Sequence, residues 1–490
     1  MARVYLIYLD INTGYFPGLH HGLASLSAAI RQKDHVLAFH HLFNEEPPEV
    51  LSDMVLKFNP DIVGFSLTTN QRKYLGKYSK AIYRQSKVLQ VAGGVHASLD
   101  PMDVLNVDSI QGVCIGEGEQ TFLNLLKKLD AGESVLDTPG FWWRTQEDVI
   151  KQNPVPPLDP DLSKLPYPDY SIFNVNEINE ASSGWMTMMV TRGCPYNCSY
   201  CCNHVLRSVY PNKKDYVRVP PVEYAIGIIK NNLSCYSGVK GISFDDDLLV
   251  WHKEWFKEFA DRYRREVSLP FICNVRVEYL TEDICSALKK AGCTLVGIGV
   301  ESGSEWLRKY LLNRRVSNDQ IVKAFQLLRH FGIQRLSFNI LGFPFETKEL
   351  MEETLSLNKR IRPEMGGVFY FFPYPGTQLH SICKEFGLLS KSSEELSGYL
   401  EHPTINLTHC KINDCKKVYY KLRLYLSCRK ATKNLRFASS FISIWIYSLF
   451  NIYPSFFVNL FTKRSRFKYM LRKIAYKKLL RQHAGTREKD

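Results

Sequence analysis

The chain has 490 residues, of which 45% are hydrophobic and 23% charged, and this composition excludes a disordered chain, a collagen-like fibre and a polytopic membrane protein. Its net charge of +14 comes from the C-terminus, since residues 411–490 hold 20 Lys and Arg against 3 Asp and Glu, and the first 410 residues hold 43 against 46. A basic tail on a slightly acidic body argues against nucleic-acid binding.

Cysteine usage and the N-terminus indicate the compartment. The 13 cysteines are odd in number and irregularly spaced, which argues against the disulfide framework of a secreted protein. Only six apolar residues, Val4 to Leu9, precede Asp10, and the core of a signal peptide is longer than that. We therefore expect a cytoplasmic protein.

Residues 1–135 alternate short apolar runs with helix-length stretches, which predicts a Rossmann-like parallel sheet covered on both faces. The predicted strands are residues 4–9, 35–42, 61–67, 88–92 and 110–115. Ligands of such sheets bind at the carboxyl ends of the strands. A single polar or glycine-rich turn at the end of a strand indicates only a tight connection. Three such turns at successive strand ends indicate a large ligand with a phosphate or nucleotide portion. These turns are Ser66-Leu67-Thr68, Gly93-Gly94-Val95-His96 and Gly116-Glu117-Gly118-Glu119.

A proline-rich stretch separates this domain from a second one. Six of the fifteen residues from Pro154 to Pro168 are proline, which predicts a stiff linker within residues 136–184. Strands are then predicted at 186–191, 241–244, 271–275, 295–300, 336–341 and 368–372, with helices between them. This alternation predicts a partial or full (β/α) barrel over residues 185–385. Residues 386–490 are predicted to form a helical, basic C-terminal region.

The strongest chemical signal follows the first barrel strand, where Cys194, Cys198 and Cys201 lie within one loop. Spacings of four and three residues let such a loop point three thiolates at a common centre. Three thiolates suit a 4Fe–4S cluster that leaves one iron free to bind a substrate. The alternative is a zinc site with Cys202 or His204 as the fourth ligand, although zinc ribbons use two separated Cys-x-x-Cys pairs and this sequence has no second pair.

The pattern Cys-x-x-x-Cys-x-aromatic-Cys, with Tyr200 as the aromatic residue, resembles the radical S-adenosylmethionine (SAM) enzymes. Residues 1 to about 385 resemble the subgroup with an N-terminal cobalamin-binding domain. That subgroup includes radical SAM methyltransferases and anaerobic magnesium-protoporphyrin IX monomethyl ester cyclases. Besides the Gly-Glu-Gly-Glu turn, the supporting motifs are residues 242–247, 273–276, 297–304, 340–347 and 373–377.

The resemblance implies three cofactors, namely a 4Fe–4S cluster on the three cysteines, SAM and cobalamin. It implies that SAM contacts Tyr200, Asp246, Arg276, Glu301 and Gly342. Asp246 would receive the ammonium group of SAM, although three successive acids leave the register uncertain by one, and one acid also suits a helix-capping turn. Glu301 also suits a surface ion pair, and Arg276 suits either the SAM carboxylate or a protein carboxylate. The implied cobalamin contacts are Ser66, Thr68, Gly93, Gly94, Gly116, Glu117 and Gly118.

The sequence lacks the histidine that binds cobalt from below in some cobalamin-binding domains. Cobalamin domains that supply a histidine beneath the metal carry an Asp-x-His-x-x-Gly motif after the first strand, but this chain has Asn12 at the histidine position. His20 and His21 follow later, and we interpret them as polar residues at the start of a helix. We therefore expect no protein histidine beneath cobalt.

The tail contains 25 uncharged residues, 437–461, flanked by basic clusters. Polar residues recur there every three or four positions, which is typical of an amphipathic segment. The sequence leaves two interpretations open, peripheral contact with the inner face of an anionic membrane or packing against the protein core.

The resemblance implies an enzyme that cleaves SAM reductively to a 5′-deoxyadenosyl radical and transfers a methyl group from methylcobalamin to an unactivated carbon. The alternatives are radical cyclisation or rearrangement of a porphyrin-like or lipid substrate, and a cobalamin or iron–sulfur sensor without turnover. The implied partners are a small-molecule substrate, which includes lipids and tetrapyrroles, and an electron donor such as flavodoxin or ferredoxin.

Overall fold

A mixed seven-stranded sheet forms the centre of the N-terminal domain in the computed structural model, which describes residues 1–11, 18–390 and 402–434. The strands are β1 Arg3–Leu9, β2 Val36–Leu42, β3 Ile62–Ser66, β4 Leu89–Gly93, β5 Gly112–Cys114, β6 Phe141–Arg144 and β7 Ile150–Gln152. Their order is β2-β1-β3-β4-β5-β6-β7, parallel as far as β5 and antiparallel at β6 and β7. The predicted parallel sheet is thus confirmed, with two added strands.

Helices cover both faces of this sheet because its central strands are apolar on both sides. Along β1, Val4 and Leu6 belong to the core on one face, whereas Tyr5, Ile7 and Leu9 belong to the core on the other. The helices of this domain are α1 His21–Gln32, α2 Pro48–Phe58, α3 Arg72–Ser86, α4 Val95–Leu99, α5 Pro101–Leu105 and α6 Gly118–Asp130.

The linker predicted from residue 136 begins later than expected. Phe141 and Trp143 of β6 are buried against the first sheet, and β6 pairs with β5 before β7 closes the hairpin. The predicted boundary at 135 is therefore wrong, because residues 141–152 belong to the sheet. The proline-rich stretch begins after β7, and Tyr170 and Phe173 near its end are buried in the core.

A second sheet of six parallel strands forms the C-terminal domain. The strands are β8 Trp185–Met188, β9 Gly241–Phe244, β10 Phe271–Asn274, β11 Cys293–Glu301, β12 Gln334–Leu341 and β13 Met365–Tyr370. They pair in chain order, and β8 and β13 are the two edges. All six predicted strands are present, and the barrel is partial.

Helices of this domain alternate with its strands and cover the outer side of the sheet. They are α7 Val175–Ala181, α8 Asn203–Ser208, α9 Val222–Cys235, α10 Lys253–Glu266, α11 Glu282–Lys290, α12 Asn318–His330, α13 Lys348–Ile361 and α14 Gln378–Glu385. One apolar core extends from Val4 of β1 through Phe173 to Met186 of β8, so the two domains pack on each other.

A last helix, α15 Ile412–Asn434, covers the edge strand β13. The rings of Tyr370 and Tyr419 stack with 4.2 Å between their centroids, and Leu426 packs against Gly366. The predicted helical character is confirmed for this part of the tail, whereas residues 437–461 lie outside the described residues. Within 1–11, 18–390 and 402–434, no helix is both long and apolar enough to cross a membrane.

Candidate cluster and cofactor-binding site

The three cysteines lie on one loop that leaves the carboxyl end of β8. The loop begins with Arg192, whose backbone pairs with that of Arg218 in a two-way bridge of 3.0 and 2.8 Å. Gly193 follows with φ +86°, and a Cβ there would overlap the carbonyl group of Tyr216. The conformation at the start of the loop therefore requires glycine.

The thiols of the loop lie close enough to influence each other electrostatically. Burial raises the pKa of Cys194 to about 12, and the neighbouring sulfurs of Cys198 and Cys201 contribute to this rise. A hydrogen bond with Cys202 lowers the pKa of Cys201 to about 7. Nη1 of Arg276 donates to the Cys198 sulfur at 3.5 Å.

This donor set suits an iron–sulfur cube, in which each thiolate binds a different iron. Across the described ranges, no group of three or more His, Cys, Asp or Glu side chains is arranged to hold a single metal ion. Cys202 is hydrogen-bonded to Cys201, and Nδ1 of His204 has no hydrogen-bond partner.

The middle member of the run of three acids after β9 is bonded to the segment directly before the cysteine loop. Asp246 is 1% exposed, and its carboxylate accepts hydrogen bonds from the backbone N–H groups of Val190 and Thr191 and from the Thr191 hydroxyl, at 3.1, 2.5 and 2.6 Å. These bonds fix the segment between β8 and the cysteine loop. The oxygens of Asp246 are already bonded to protein donors, which favours a neighbouring acid as the partner of the SAM ammonium, and the predicted role of Asp246 stays a prediction.

Asp247 is the acid that faces the cysteine loop. Asn203 donates to Asp247 at 2.9 Å, and the same amide nitrogen lies 3.8 Å from the Cys201 sulfur. The side chain is exposed, and its charge acts on Cys194. Asp247 therefore replaces Asp246 as the candidate partner for an ammonium group.

Alanine substitutions separate the two acids. Asp246→Ala leaves three buried donors without an acceptor, so we expect the free energy of unfolding to fall by about 3 kcal/mol. Asp247→Ala removes an exposed side chain and is expected to change stability by less than about 0.5 kcal/mol while weakening SAM binding. Chemical denaturation and a SAM titration measure both effects. Normal stability of Asp246→Ala together with unchanged SAM affinity of Asp247→Ala would contradict the assignment.

Glu301 ends β11 in a left-handed conformation with φ +62° and is 9% exposed. Its carboxylate lies 3.6 Å from Arg314, which donates to the Tyr200 hydroxyl at 3.2 Å and to the Gly299 carbonyl at 2.7 Å. Burial raises the pKa of Glu301. The surface-pair alternative is thus excluded, and Tyr200 and Glu301 form one buried polar group with Arg314.

Arg276 has a protein carboxylate as its partner in this structure. It is paired with Glu278 at 2.5 Å and stacks over the Tyr196 ring at 3.5 Å from the centroid. Its Nε is buried without a hydrogen-bond partner. A donor beside the cluster loop is therefore left for a ligand carboxylate.

Gly342 follows β12 with φ +80° and donates its N–H to Glu346 at 2.7 Å. Phe343 donates to the same carboxyl oxygen at 3.1 Å, while Oε1 of Glu346 is buried without a partner. Burial raises the pKa of Glu346 to about 8. Glu346 therefore carries a proton at neutral pH, and the turn at Gly342 is fixed by an uncharged carboxyl group.

The raised pKa of Glu346 predicts a pH-dependent stability. Between its ordinary pKa of 4.5 and about 8, the unfolded chain has lost a proton that the folded chain keeps. Stability therefore falls as pH rises through this window, by about 2–4 kcal/mol relative to Glu346→Gln. Urea unfolding of both proteins at pH 5.5 and pH 8 measures the difference. Parallel changes in the two proteins would contradict the prediction.

The predicted cobalamin turns meet at one edge of the first sheet, since β3, β4 and β5 are neighbours. Ser98 joins two of these turns by accepting from the Gly116 N–H at 2.9 Å and donating to the Gly94 carbonyl at 3.2 Å. Gly94 has φ +98°, and a Cβ there would lie 2.8 Å from the Leu67 carbonyl oxygen. The structure thus brings the predicted residues together, and the close approach of the Leu67 backbone at Gly94 requires glycine there. The members of this edge are Ser66, Thr68, Gly93, Gly94, Gly116 and Gly118.

Glu117 differs from the other members of its turn. Arg192 donates to its carboxylate at 2.6 Å and Arg218 pairs with its other oxygen. The carboxylate therefore serves the interface between the domains, and the contact of Glu117 with cobalamin stays a prediction.

The histidines near β1 lie as expected at a helix start. The His20 side chain accepts from the Leu23 N–H and caps α1, and burial lowers its pKa to about 4. His21 contacts the Tyr170 hydroxyl at 2.7 Å and Asp245 of the second domain at 3.2 Å. Asn12, at the position of the missing histidine, lies outside the described residues.

Two family models match the chain, the radical SAM superfamily over residues 188–357 and the B12 binding domain over residues 11–126. The chain is a radical SAM enzyme with a B12-binding domain. The predicted family is thereby confirmed, as are the three predicted cofactors, a 4Fe–4S cluster, SAM and cobalamin.

Relatives of this radical SAM enzyme include methyltransferases. It is 28% identical over 363 residues to an uncharacterized methyltransferase of Pyrococcus horikoshii, covering 73% of this chain and 77% of that protein. It is 25% identical to the anaerobic magnesium-protoporphyrin IX monomethyl ester cyclase of Rubrivivax gelatinosus, covering 69% of this chain and 60% of the cyclase. The structure of the radical SAM methyltransferase TsrM from Kitasatospora setae, with cobalamin and a 4Fe–4S cluster bound, matches with a TM-score of 0.64 over 78% of each chain at 16% identity, which shows the fold.

Proposed function

We propose that this enzyme transfers a methyl group carried by cobalamin to an unactivated carbon of a small-molecule substrate. One observation carries the proposal: the cysteine loop of the second domain and the glycine-rich edge of the first domain meet in one interface, joined by Arg192 and Glu117. When bound, the cluster and SAM supply a carbon-centred radical, and cobalamin supplies the methyl group.

The residues of the chain hold the cofactors and exclude water. Cys194, Cys198 and Cys201 would bind the cluster. Asp247 and the unpartnered Nε of Arg276 present an acceptor and a donor for the charged groups of SAM. The edge at Gly94 and Gly116 would hold cobalamin. Because this edge packs against the second domain, water is kept away from the reacting carbon.

Product analysis tests the proposal. Reconstituted enzyme is incubated anaerobically with SAM, cobalamin and a reductant, and we expect methionine, 5′-deoxyadenosine and S-adenosylhomocysteine. S-adenosylhomocysteine reports transfer of the SAM methyl group. Absence of both 5′-deoxyadenosine and S-adenosylhomocysteine would contradict the function.

A second candidate is radical cyclisation of a tetrapyrrole, which the similarity to the Rubrivivax gelatinosus cyclase favours. This reaction predicts 5′-deoxyadenosine without S-adenosylhomocysteine in the same assay. Three further expectations stay predictions: a lipid substrate, an electron donor such as flavodoxin or ferredoxin, and membrane contact through residues 437–461.

A further inference from the structure

Four charged side chains, two of them buried (Glu119 and Arg218) and two half-buried (Arg192 and Glu117), join the two domains next to the cysteine loop. Arg192 donates to Glu117 and to Glu119, each at 2.6 Å, and to the Ser25 hydroxyl at 2.9 Å. Arg218 pairs with the second oxygen of Glu117. The side chains of Arg192, Glu119 and Arg218 are 16%, 7% and 4% exposed, so water screens these pairs weakly.

The network ties two short segments together through both backbone and side chain. On the second domain, the backbone of Arg192 is bridged to that of Arg218, and Arg192 lies two residues before Cys194. On the first domain, Glu117 lies in the turn after β5 and Glu119 lies in the first turn of α6, and the Glu117 N–H donates to the Tyr210 hydroxyl at 2.7 Å. Displacement of one segment therefore displaces the other.

We propose that Arg192 is a positioning residue that fixes the turn at residues 116–119 against the cysteine loop and thereby sets the separation and orientation of the two cofactor sites. The inference rests on the proposed function in one respect, that both cofactors bind. A planar guanidinium bridges two carboxylates and a hydroxyl at once, because its donors form a rigid fork. A lysine at this position keeps the charge but loses this geometry.

Arg192→Lys is the test variant, and Arg335→Lys is its matched control. Arg335 is also a buried arginine paired with a glutamate, Glu364, but it lies on β12 near the amino end of the strand, away from the cysteine loop. Each variant loses two arginine–glutamate hydrogen bonds, to two carboxylates at Arg192 and to one carboxylate at Arg335, so they share any general loss of stability. Only Arg192→Lys alters the interface between the cofactor sites.

The readout is the magnetic interaction between the reduced cluster and Co(II) cobalamin in the reconstituted holoenzyme, measured by electron paramagnetic resonance. We expect a defined interaction in the wild type and in Arg335→Lys. In Arg192→Lys we expect the interaction to weaken by about twofold or more, or to spread over several values, with iron and cobalt contents unchanged. A merely stabilising arginine would not change this signal at full cofactor content.

A second variant keeps the inference testable if Arg192→Lys does not fold. Glu117→Gln with Glu119→Gln removes the charges from the other side of the interface, and we expect the same weakening. An interaction equal to the wild type in either variant, with both cofactors bound, would overturn the proposal. A wild-type enzyme that binds no cobalamin or no cluster would overturn the proposed function instead, and this inference with it.

Discussion

Cys198→Ala is expected to abolish cluster assembly and SAM cleavage. Cys198 is the middle thiol of the loop, is 6% exposed and has the Arg276 guanidinium beside its sulfur. Two remaining thiols cannot hold a cube at three corners. We expect the rate of 5′-deoxyadenosine formation to fall by more than about a hundredfold. Mutation of a residue that only supports a metal ligand can already lower metal affinity or activity by up to about a hundredfold. Iron analysis and chromatography of the nucleoside products measure the effect.

The neighbouring Cys202 provides a matched control. It is hydrogen-bonded to Cys201 and is the candidate fourth ligand of the zinc alternative. We expect Cys202→Ala to keep its iron and to cleave SAM at a rate close to the wild type. Equal losses in Cys202→Ala and Cys198→Ala would contradict an assignment of the cluster to three cysteines.

Gly193→Ala is expected to prevent the cysteine loop from forming. The residue has φ +86°, and an added Cβ would overlap the backbone carbonyl of Tyr216, which is held by the bridge between Arg192 and Arg218. Neither backbone segment is free to move. We expect a loss of about 3 kcal/mol or more in the free energy of unfolding, together with loss of bound iron. Denaturation and iron content measure the two effects.

Gly238→Ala controls for the left-handed backbone alone. Gly238 has φ +74°, but a Cβ there would meet no atom within 4 Å. We expect a loss of about 1 kcal/mol and full iron content, because only the conformational preference is lost. If Gly193→Ala behaved like Gly238→Ala, the close approach of Tyr216 would not constrain the loop.

Hydrophobic patterning predicted most of the fold because eleven of the thirteen described strands are parallel and are continuous apolar runs. All five early strands and all six later ones lie where the apolar runs lie. Strands β6 and β7 were missed, although Phe141 and Trp143 alternate with less buried residues as strand residues do. They follow the last predicted helix as a short hairpin, and the nearby prolines favoured a linker. These residues form strands because β6 pairs with β5, and a local sequence pattern does not reveal a contact between segments that are far apart in the chain.

The candidate site was predicted residue by residue with unequal success, because a motif locates a segment but does not orient its side chains. The run from Asp245 to Asp247 marked the end of β9, yet which acid faces the cysteine loop depends on the hydrogen bonds of Asp246 to the segment that follows β8. The roles of Arg192 and Arg314 were not predicted. Their partners, Glu117 and Glu301, are distant in sequence, so spacing carries no signal of either contact.

Mössbauer spectroscopy of enzyme reconstituted with ⁵⁷Fe reports whether three thiolates on one loop leave one iron of the cluster for SAM. We expect the addition of SAM to change about a quarter of the iron signal, that of the iron without a cysteine ligand. Zinc in place of iron, or a 4Fe–4S spectrum that SAM leaves unchanged, would contradict this expectation.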